Sequence, residues 1–491
     1  MKRANKKLKY LSGLFILFVI VVSSVFHYRI QIIDALNETP QSSFDIKIST
    51  LRIIFEPVFG PLLFFNRGLY ALEELLFTLY CVLILFLIYS LFKLVTKERA
   101  VKKRYLLNQI SNLPFIIGLW FATFIIIIFL SAYLPSNTIT NNSPNTILVN
   151  THSHSQFSHD GLISQENLWK WHKKNSFDAF FITEHNNHDR IIDFVTAQRN
   201  GDYPTHPLVI AGEEFSGTNH LSLLGLKRNF NTEGYTDQTA IDSTRGNRGT
   251  ILVNHWFDGE HMTLEYYNNL GVDGFEIENT ATDKACNREV YERIKNFCKS
   301  NNLLMVGGVD FHGYGNVCSL WNAMEIPDWH NLEMQEKEEA ILDIIKNRDQ
   351  SKLKVLKYDD RPYYKKEHLF WRPFATLFNY FRTLNIWQVL SWILWTVLIV
   401  TLNSKIKDSD KLKQIITWNK TLPVAAVLSS LFLLVLAAFY HAESVKLGGT
   451  DNDVYKEYNI ILIFVGTALF LYSGVIAWFR LFRQNKYHLS Q

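Results

Sequence analysis

Eleven of the 16 histidines in this 491-residue chain fall between residues 152 and 312, and carboxylates accompany them. The segments are NTHSHSQFSHDG (150–161), FFITEHNN (180–187), VIAGEEFSGTNHLSLLG (209–225), ILVNHWF (251–257) and GGVDFHG (307–313). Each follows or opens on a short apolar run and then presents His, Asp or Glu. Imidazole nitrogen mixed with carboxylate oxygen is the ligand set that suits Zn, Mn and Fe. Clustered divalent ions about 3.5–4 Å apart lower the pKa of a bridging water and clamp the oxygens of a phosphoryl group, so no Ser or Cys nucleophile is needed. The chemistry these residues favour is hydrolysis at a metal centre.

The elements that must position them alternate. TILVN (146–150), DAFFIT (178–183), PLVIAG (207–212), HLSLLG (220–225), a second TILVN (250–254), GFEIEN (274–279) and LLMVGGVD (303–310) read as strands. Helical spacing appears near 164–175, 188–199 and 282–300. Repeated β-then-α units with apolar strands argue for a parallel sheet or barrel. His152, His185, Glu214, His255, Glu278 and Asp310 then lie at or just past strand C-termini, the rim where the loops of an α/β barrel converge. His172, His206 and His261 fall off that rim and read as ordinary core or surface residues.

Taken together, the HxH of His152 and His154, the SHDG after it, TEHN at 183–186, the GxE ending at Glu214, His220 before LSLLG, His255 and the final Asp310-x-His312 resemble the signature of the PHP (polymerase and histidinol phosphatase) superfamily of metal-dependent phosphoesterases. The resemblance covers about 148–314. It implies a distorted (β/α)7 barrel with two or three divalent ions (Zn, Mn or Fe) at its C-terminal rim and attack by a metal-bridging hydroxide. It implies one ion on His152, His154, Glu214 and Asp310, and a second on Glu214, His220 and His255. A third would take His185, His312 and the residue after Ser158, with His159 favoured by its offset from the HxH and Asp160 as the alternative. Glu184 stands where the family more usually has Asp and would orient His185 from behind. Glu278 is a second candidate for such a supporting role. His188 or His255 would donate a proton to the leaving group, and Asp310 would serve both binding and catalysis. Arg245, Arg248 and Lys284 are candidates to hold a phosphate.

Outside 135–370 the chain changes character. Runs 10–26, 75–95, 115–134, 385–402, 422–440 and 459–479 are apolar over lengths close to the ~20 residues that cross a bilayer. The first also resembles a signal-peptide core, but no small-residue cleavage site follows, which favours an uncleaved anchor. The stretch 50–66 is broken by Glu56, Pro57 and Pro61 and should lie in the interface or cap the bundle. Three units follow: a membrane region at 1–134, a metallohydrolase domain at 135–370 and a second membrane region at 371–491. Lys and Arg concentrate in 1–9, 93–104, 403–414 and the tail, so six spans would put both termini in the cytoplasm and the catalytic domain outside it.

The formal net charge of +4 is largely that topology signal, and no basic stripe suggests a nucleic-acid partner. Four cysteines are too few for a disulfide framework. The expected function is a membrane-anchored phosphoesterase acting on a phosphate mono- or diester. Its rivals are an amidohydrolase-type enzyme, against which stands the lack of a lysine at the rim strand ends, and a metal- or ligand-binding sensor domain of a membrane protein.

Overall fold

A strand covered on both faces must carry apolar side chains on both, and several segments do. Ala179–Ile182 and Thr250–Val253 are buried at every position, and Leu208–Ser216 at all but its last. The computed structural model describes residues 2–67, 71–258, 262–280, 287–315, 317–362, 370–409, 418–447 and 453–488. Its strands are β1 (Gln31–Asp34), β2 (Thr39–Pro40), β3 (Phe44–Lys47), β4 (Thr138–Asn141), β5 (Thr146–Asn150), β6 (Ala179–Ile182) and β7 (Leu208–Ser216), then β8 (His220–Leu224), β9 (Thr250–Val253), β10 (Gly274–Asn279), β11 (Leu304–Gly308), β12 (Leu320–Glu325) and β13 (Leu353–Asp359).

Eleven of these form one sheet in the order β11-β10-β9-β8-β7-β6-β5-β12-β13-β1-β2, while β3 pairs with β4. The fold is mixed α/β, and among the described residues the strand ladder of the expected (β/α)7 barrel is not found closed. Pairs β5–β6, β6–β7, β9–β10 and β10–β11 are parallel, but β8 runs antiparallel to both β7 and β9. The cause is local. Three residues separate β7 from β8, enough for a hairpin and far too few for a crossover helix. β12 and β13 add two more antiparallel strands beside β5, and β1 from the N-terminal region pairs with β13. The residues between the first two apolar helices thus belong to the same sheet as the metal-ligand strands.

The segments after β5 and β11 meet. The Asp310 N–H donates to the His152 carbonyl and the His154 N–H to the Phe311 carbonyl, both at 2.9 Å. Asp310 has φ +52°, a left-handed turn that Asp tolerates better than most residues. That turn swings its carboxylate towards the two histidines.

Among the described residues, six helices are long and apolar enough to cross a membrane, with spans at Leu8–Val25, Glu74–Val95, Arg99–Leu130, Ile386–Ile406, Thr421–Lys446 and Val454–Phe479. They do not pack as an N-terminal trio and a C-terminal trio. Val19 and Val22 of the first share a cluster with Val389 of the fourth, and the third packs with the last two through Ala122, Phe129, Leu433, Ala437 and Leu462. The broken stretch forms short helices at Thr50–Ile54 and Glu56–Phe65. There Arg52 Nε donates to Glu56 at 2.8 Å, and the Tyr380 hydroxyl donates to the same carboxylate at 2.8 Å, all buried.

Candidate metal centre

Glu214, in the middle of β7, points its side chain among five imidazoles. His152 Nε2 and His154 Nε2 each lie 3.1 Å from Oε2, and His185 Nε2 lies 3.4 Å away. On the other oxygen, His220 Nδ1 is at 3.0 Å and His255 Nε2 at 3.2 Å. His152 and His154 follow β5, His185 follows β6, His220 opens β8 and His255 follows β9. Each neighbouring strand contributes one turn of chain to the same rim.

Three overlapping groups result, each with its ligand atoms within 4.8 Å of one another: His152, His154, Glu214 and Asp310; His154, Asp160, His185 and His312; and His185, Glu214 and His220. Asp310 Oδ1 stands 3.3 Å from both His152 Nε2 and His154 Nε2. Asp160 Oδ2 is 3.2 Å from His185 Nε2 and 2.9 Å from His312 Nε2, and Ser158 Oγ donates to its other oxygen. His159, favoured on its offset, stays at the edge: its side chain is 55% exposed and its Nε2 is 4.0 Å from Asp160. Asp160 is the one turned inward.

The donor set fits divalent cations. Nε2 atoms of His152 and His154 approach to 3.0 Å with carboxylates on the same side, a packing of lone pairs that a cation resolves. Asp310 Oδ1 and His220 Nδ1 are buried and make no hydrogen bond. Burial works against the Glu214 anion, yet His152 and His185 hold it well below the usual carboxylate range. Burial likewise disfavours the His154 cation, but Asp310 and Glu214 outweigh it and push its pKa up to about 10. Protons therefore compete with a metal for these imidazoles.

Supporting groups fix the tautomers. Glu276 Oε1 sits 2.9 Å from His152 Nδ1, and the Asp310 carbonyl 2.9 Å from His312 Nδ1, which leaves the Nε2 atoms to coordinate. Glu276 was not singled out from sequence. Its cue lay in the alternation of GFEIEN, which would put Glu276 and Glu278 on one strand face, but a bulge between the two separates them. Glu278 instead pairs with Lys357 at 2.9 Å, away from the histidines. Gly308 makes room for Glu276, since a Cβ there would lie 2.0 Å from its Oε1. Asn254 Nδ2 donates to Glu214 at 2.8 Å, and Asn279 Nδ2 to Asp310 at 3.2 Å; neither was anticipated.

Other candidates have different placements. Glu184 is buried and accepts from the Ser155 N–H at 2.9 Å and from its hydroxyl, so it secures the loop beside His154 rather than His185. His188 is buried with Nδ1 on Glu213 and Nε2 accepting from the Phe230 N–H at 3.0 Å, so both ring nitrogens are committed. His255 combines its Glu214 contact with Asp258 Oδ2 at 3.1 Å from Nδ1. Arg245 donates to Asp273 at 2.7 Å, and Arg248 is exposed. Both precede β9 and so lie at the strand end opposite the rim. Lys284 lies outside the described residues, as does His261. His172 is buried against Asn150, and His206 lies by Asp178, both away from the cluster.

Comparison with known proteins gives a family match and several distant structural neighbours. One neighbour is a two-domain protein from Bacteroides vulgatus containing a predicted PHP-like metal-dependent phosphoesterase, 19% identical over 47% of this chain and 69% of that one, TM-score 0.31. Another, from Bifidobacterium adolescentis and assigned as a metal-dependent phosphoesterase, is 14% identical over 34% and 88%, TM-score 0.28. An amidohydrolase from Chromobacterium violaceum is 11% identical over 38% and 96%, TM-score 0.27. A comparison with curated proteins gives no match. The family match falls on the stretch that holds all but two of the clustered ligands, and residues 150–305 of this chain are a PHP domain.

Proposed function

We propose that the protein is a membrane-anchored, metal-dependent phosphoesterase that hydrolyses a phosphate mono- or diester, with its catalytic domain outside the cytoplasm. The observation that carries this reading is the sharing of ligands: Glu214, His154 and His185 each belong to two of the three groups, which suits adjacent cations rather than a lone structural one. The PHP family match supports a metal-dependent hydrolase, and adjacent cations suit the oxygens of a phosphoryl group.

His152, His154, Asp310 and Glu214 would hold one ion; Asp160, His185, His312 and His154 a second; Glu214 and His220, with His255 beside them, a third. When bound, such ions supply Lewis acidity towards phosphoryl oxygens and lower the pKa of water. The chain's own part is placement. Glu276 and the Asp310 carbonyl keep the imidazoles in one tautomer, and Glu184 holds the 155 loop so that His154 faces inward. Hydrolysis by water at such a centre would need no Ser or Cys nucleophile.

The test uses purified full-length protein loaded with Mn or Zn and a panel of phosphomonoesters and phosphodiesters. Release of the leaving alcohol should stop with a chelator and return with metal, and Asp310→Asn should lose both bound metal and turnover while melting as a folded protein. Full turnover in Asp310→Asn, or turnover indifferent to chelation, would rule out this reading.

A further inference from the structure

The mouth of the metal cluster is seated on the ends of three apolar helices. The Val454 N–H, in the first turn of helix Asp453–His488, donates to the His159 carbonyl at 3.3 Å. The Gly315 N–H donates to the Ile128 carbonyl at 3.1 Å, near the end of helix Arg99–Leu130. Leu162, two residues past Asp160, is 5% exposed and packs with Phe129, Leu433, Tyr440, Tyr455 and Leu462 from these helices. The loops carrying Asp160 and His312 therefore rest against the apolar bundle.

Aromatic rings mark the level at which they rest. Tyr314 lies 6.2 Å from the His312 ring, 6.4 Å from Phe129 and 5.3 Å from Tyr458, centroid to centroid. Phe129 and Tyr458 belong to the spans Arg99–Leu130 and Val454–Phe479. Tyrosines gather at the boundary between hydrocarbon and water, and Tyr133, Tyr440 and Tyr455 sit at the same helix ends. A ligand histidine is thus two ring contacts from a membrane span. The exposed edge of the cluster runs from His159 to His220, whose side chains are 55% and 36% exposed, and its His159 end touches Val454.

We propose that the substrate is a membrane lipid carrying a phosphate mono- or diester, whose headgroup reaches the cluster past Tyr458 and His159 while its tails stay in the bilayer beside helix Asp453–His488. This rests on the phosphoesterase reading above and names its substrate class. One span of ~20 residues is enough to anchor a protein; a hydrolase lying free in solution would need no rim bonded to helix ends. The reaction balances without a co-reactant: a water oxygen forms a bond to phosphorus, the bond from phosphorus to the lipid oxygen breaks, and a proton from the water ends on the released lipid alcohol.

The experiment compares two sources of the same headgroup, using the metal-loaded full chain in a non-ionic detergent. Phosphatidic acid and phosphatidylglycerol in mixed micelles are set against glycerol 3-phosphate and glycerophosphoglycerol in water with empty micelles. The lipid forms should have kcat/KM higher by about tenfold or more, equivalent to ~1.4 kcal/mol of extra transition-state binding. A photoactivatable lipid phosphonate should also cross-link to peptides spanning 311–315 and 453–458, without any turnover. Soluble esters cleaved as well as the lipids, or cross-links confined to other helices, would overturn the inference and leave the phosphoesterase reading standing. Failure to cleave esters of either kind by metal-loaded protein would overturn both.

Discussion

Glu276 is the residue whose role separates a positioned site from a collection of histidines. It accepts from or donates to nothing in bulk water, being buried between His152 Nδ1 and the His255 N–H, which donates to it at 3.1 Å. Removing such a supporting carboxylate commonly costs 10–100-fold in metal affinity. Glu276→Gln should therefore weaken metal binding by about 10-fold or more, measured by competition with a chromophoric chelator. Glu278→Gln, on the same strand but paired with Lys357, should leave metal affinity unchanged. Equal losses in both would refute the assignment. A second pair of variants bears on the SHDG loop. Asp160→Ala should remove metal from the group that includes His185 and His312, seen as a lower metal-to-protein ratio, whereas His159→Ala should retain it. The reverse pattern would return the ligand role to His159. Much of this site was legible in the sequence, because His152, His154, Glu214 and Asp310 announce themselves by type and by position at strand ends. What was not legible is orientation. Whether His159 or Asp160 turns inward, and whether Glu276 or Glu278 does, depends on backbone turns that residue type alone does not fix.

Elements hold these side chains through contacts remote from the metal. Helix Gln165–Lys174 packs Trp171 flat on Phe311 at 3.8 Å and places His172 on Phe180 at the same distance. His172 Nδ1 bonds the Leu168 carbonyl at 2.8 Å, its Nε2 meets Asn150 Nδ2 at 3.0 Å, and Asn150 in turn receives the His152 and Val309 N–H groups. Complete burial pushes the His172 pKa down to about 3. The unfolded chain takes up a proton at this residue near pH 6.5 while the folded one does not, so stability from this residue is present above pH 6.5 and falls as the pH drops. Between pH 7 and 5 the loss should be about 2 kcal/mol. His172→Gln should be less stable at pH 7 but show a shallower decline, read by thermal melts at both pH values. An unchanged slope would mean that His172 is not buried neutral. At this scale the sequence was only partly legible. The strands β5 to β11 stood out as largely apolar runs, and the short link before β8 was itself a sign of antiparallel pairing that the β-then-α pattern obscured. β12, β13 and β1 were not foreseen, since LWNAME and LKVLKYD mix apolar and polar residues and QIID is four residues long.

At the scale of the whole molecule, six helices long and apolar enough to span would alternate the chain across a bilayer, so that the segments after the first, third and fifth would share one side. In the structure those segments meet: β1, which follows the first helix, pairs with β13, and Val454, which opens the sixth, bonds His159. The remaining segments, 93–104 and 403–414, hold six and four basic residues, the composition that stays in the cytoplasm. Contact geometry gathers these segments on one side, and the charge bias is the separate argument by which that side would be the non-cytoplasmic one. Cys81, Cys298 and Cys318 are buried and give little background to a thiol reagent, and Cys286, which lies outside the described residues, is best replaced by Ser. In that Cys286→Ser background, Asn145→Cys lies exposed just before β5, and Lys103→Cys lies exposed between the second and third spans. A membrane-impermeant maleimide applied to intact cells should modify Asn145→Cys at once and Lys103→Cys only after permeabilisation. Labelling in the opposite order would move the catalytic domain into the cytoplasm. Labelling of both in intact cells would remove the third helix from the list of true spans, and the lipid route to His159 would then have to be drawn without it.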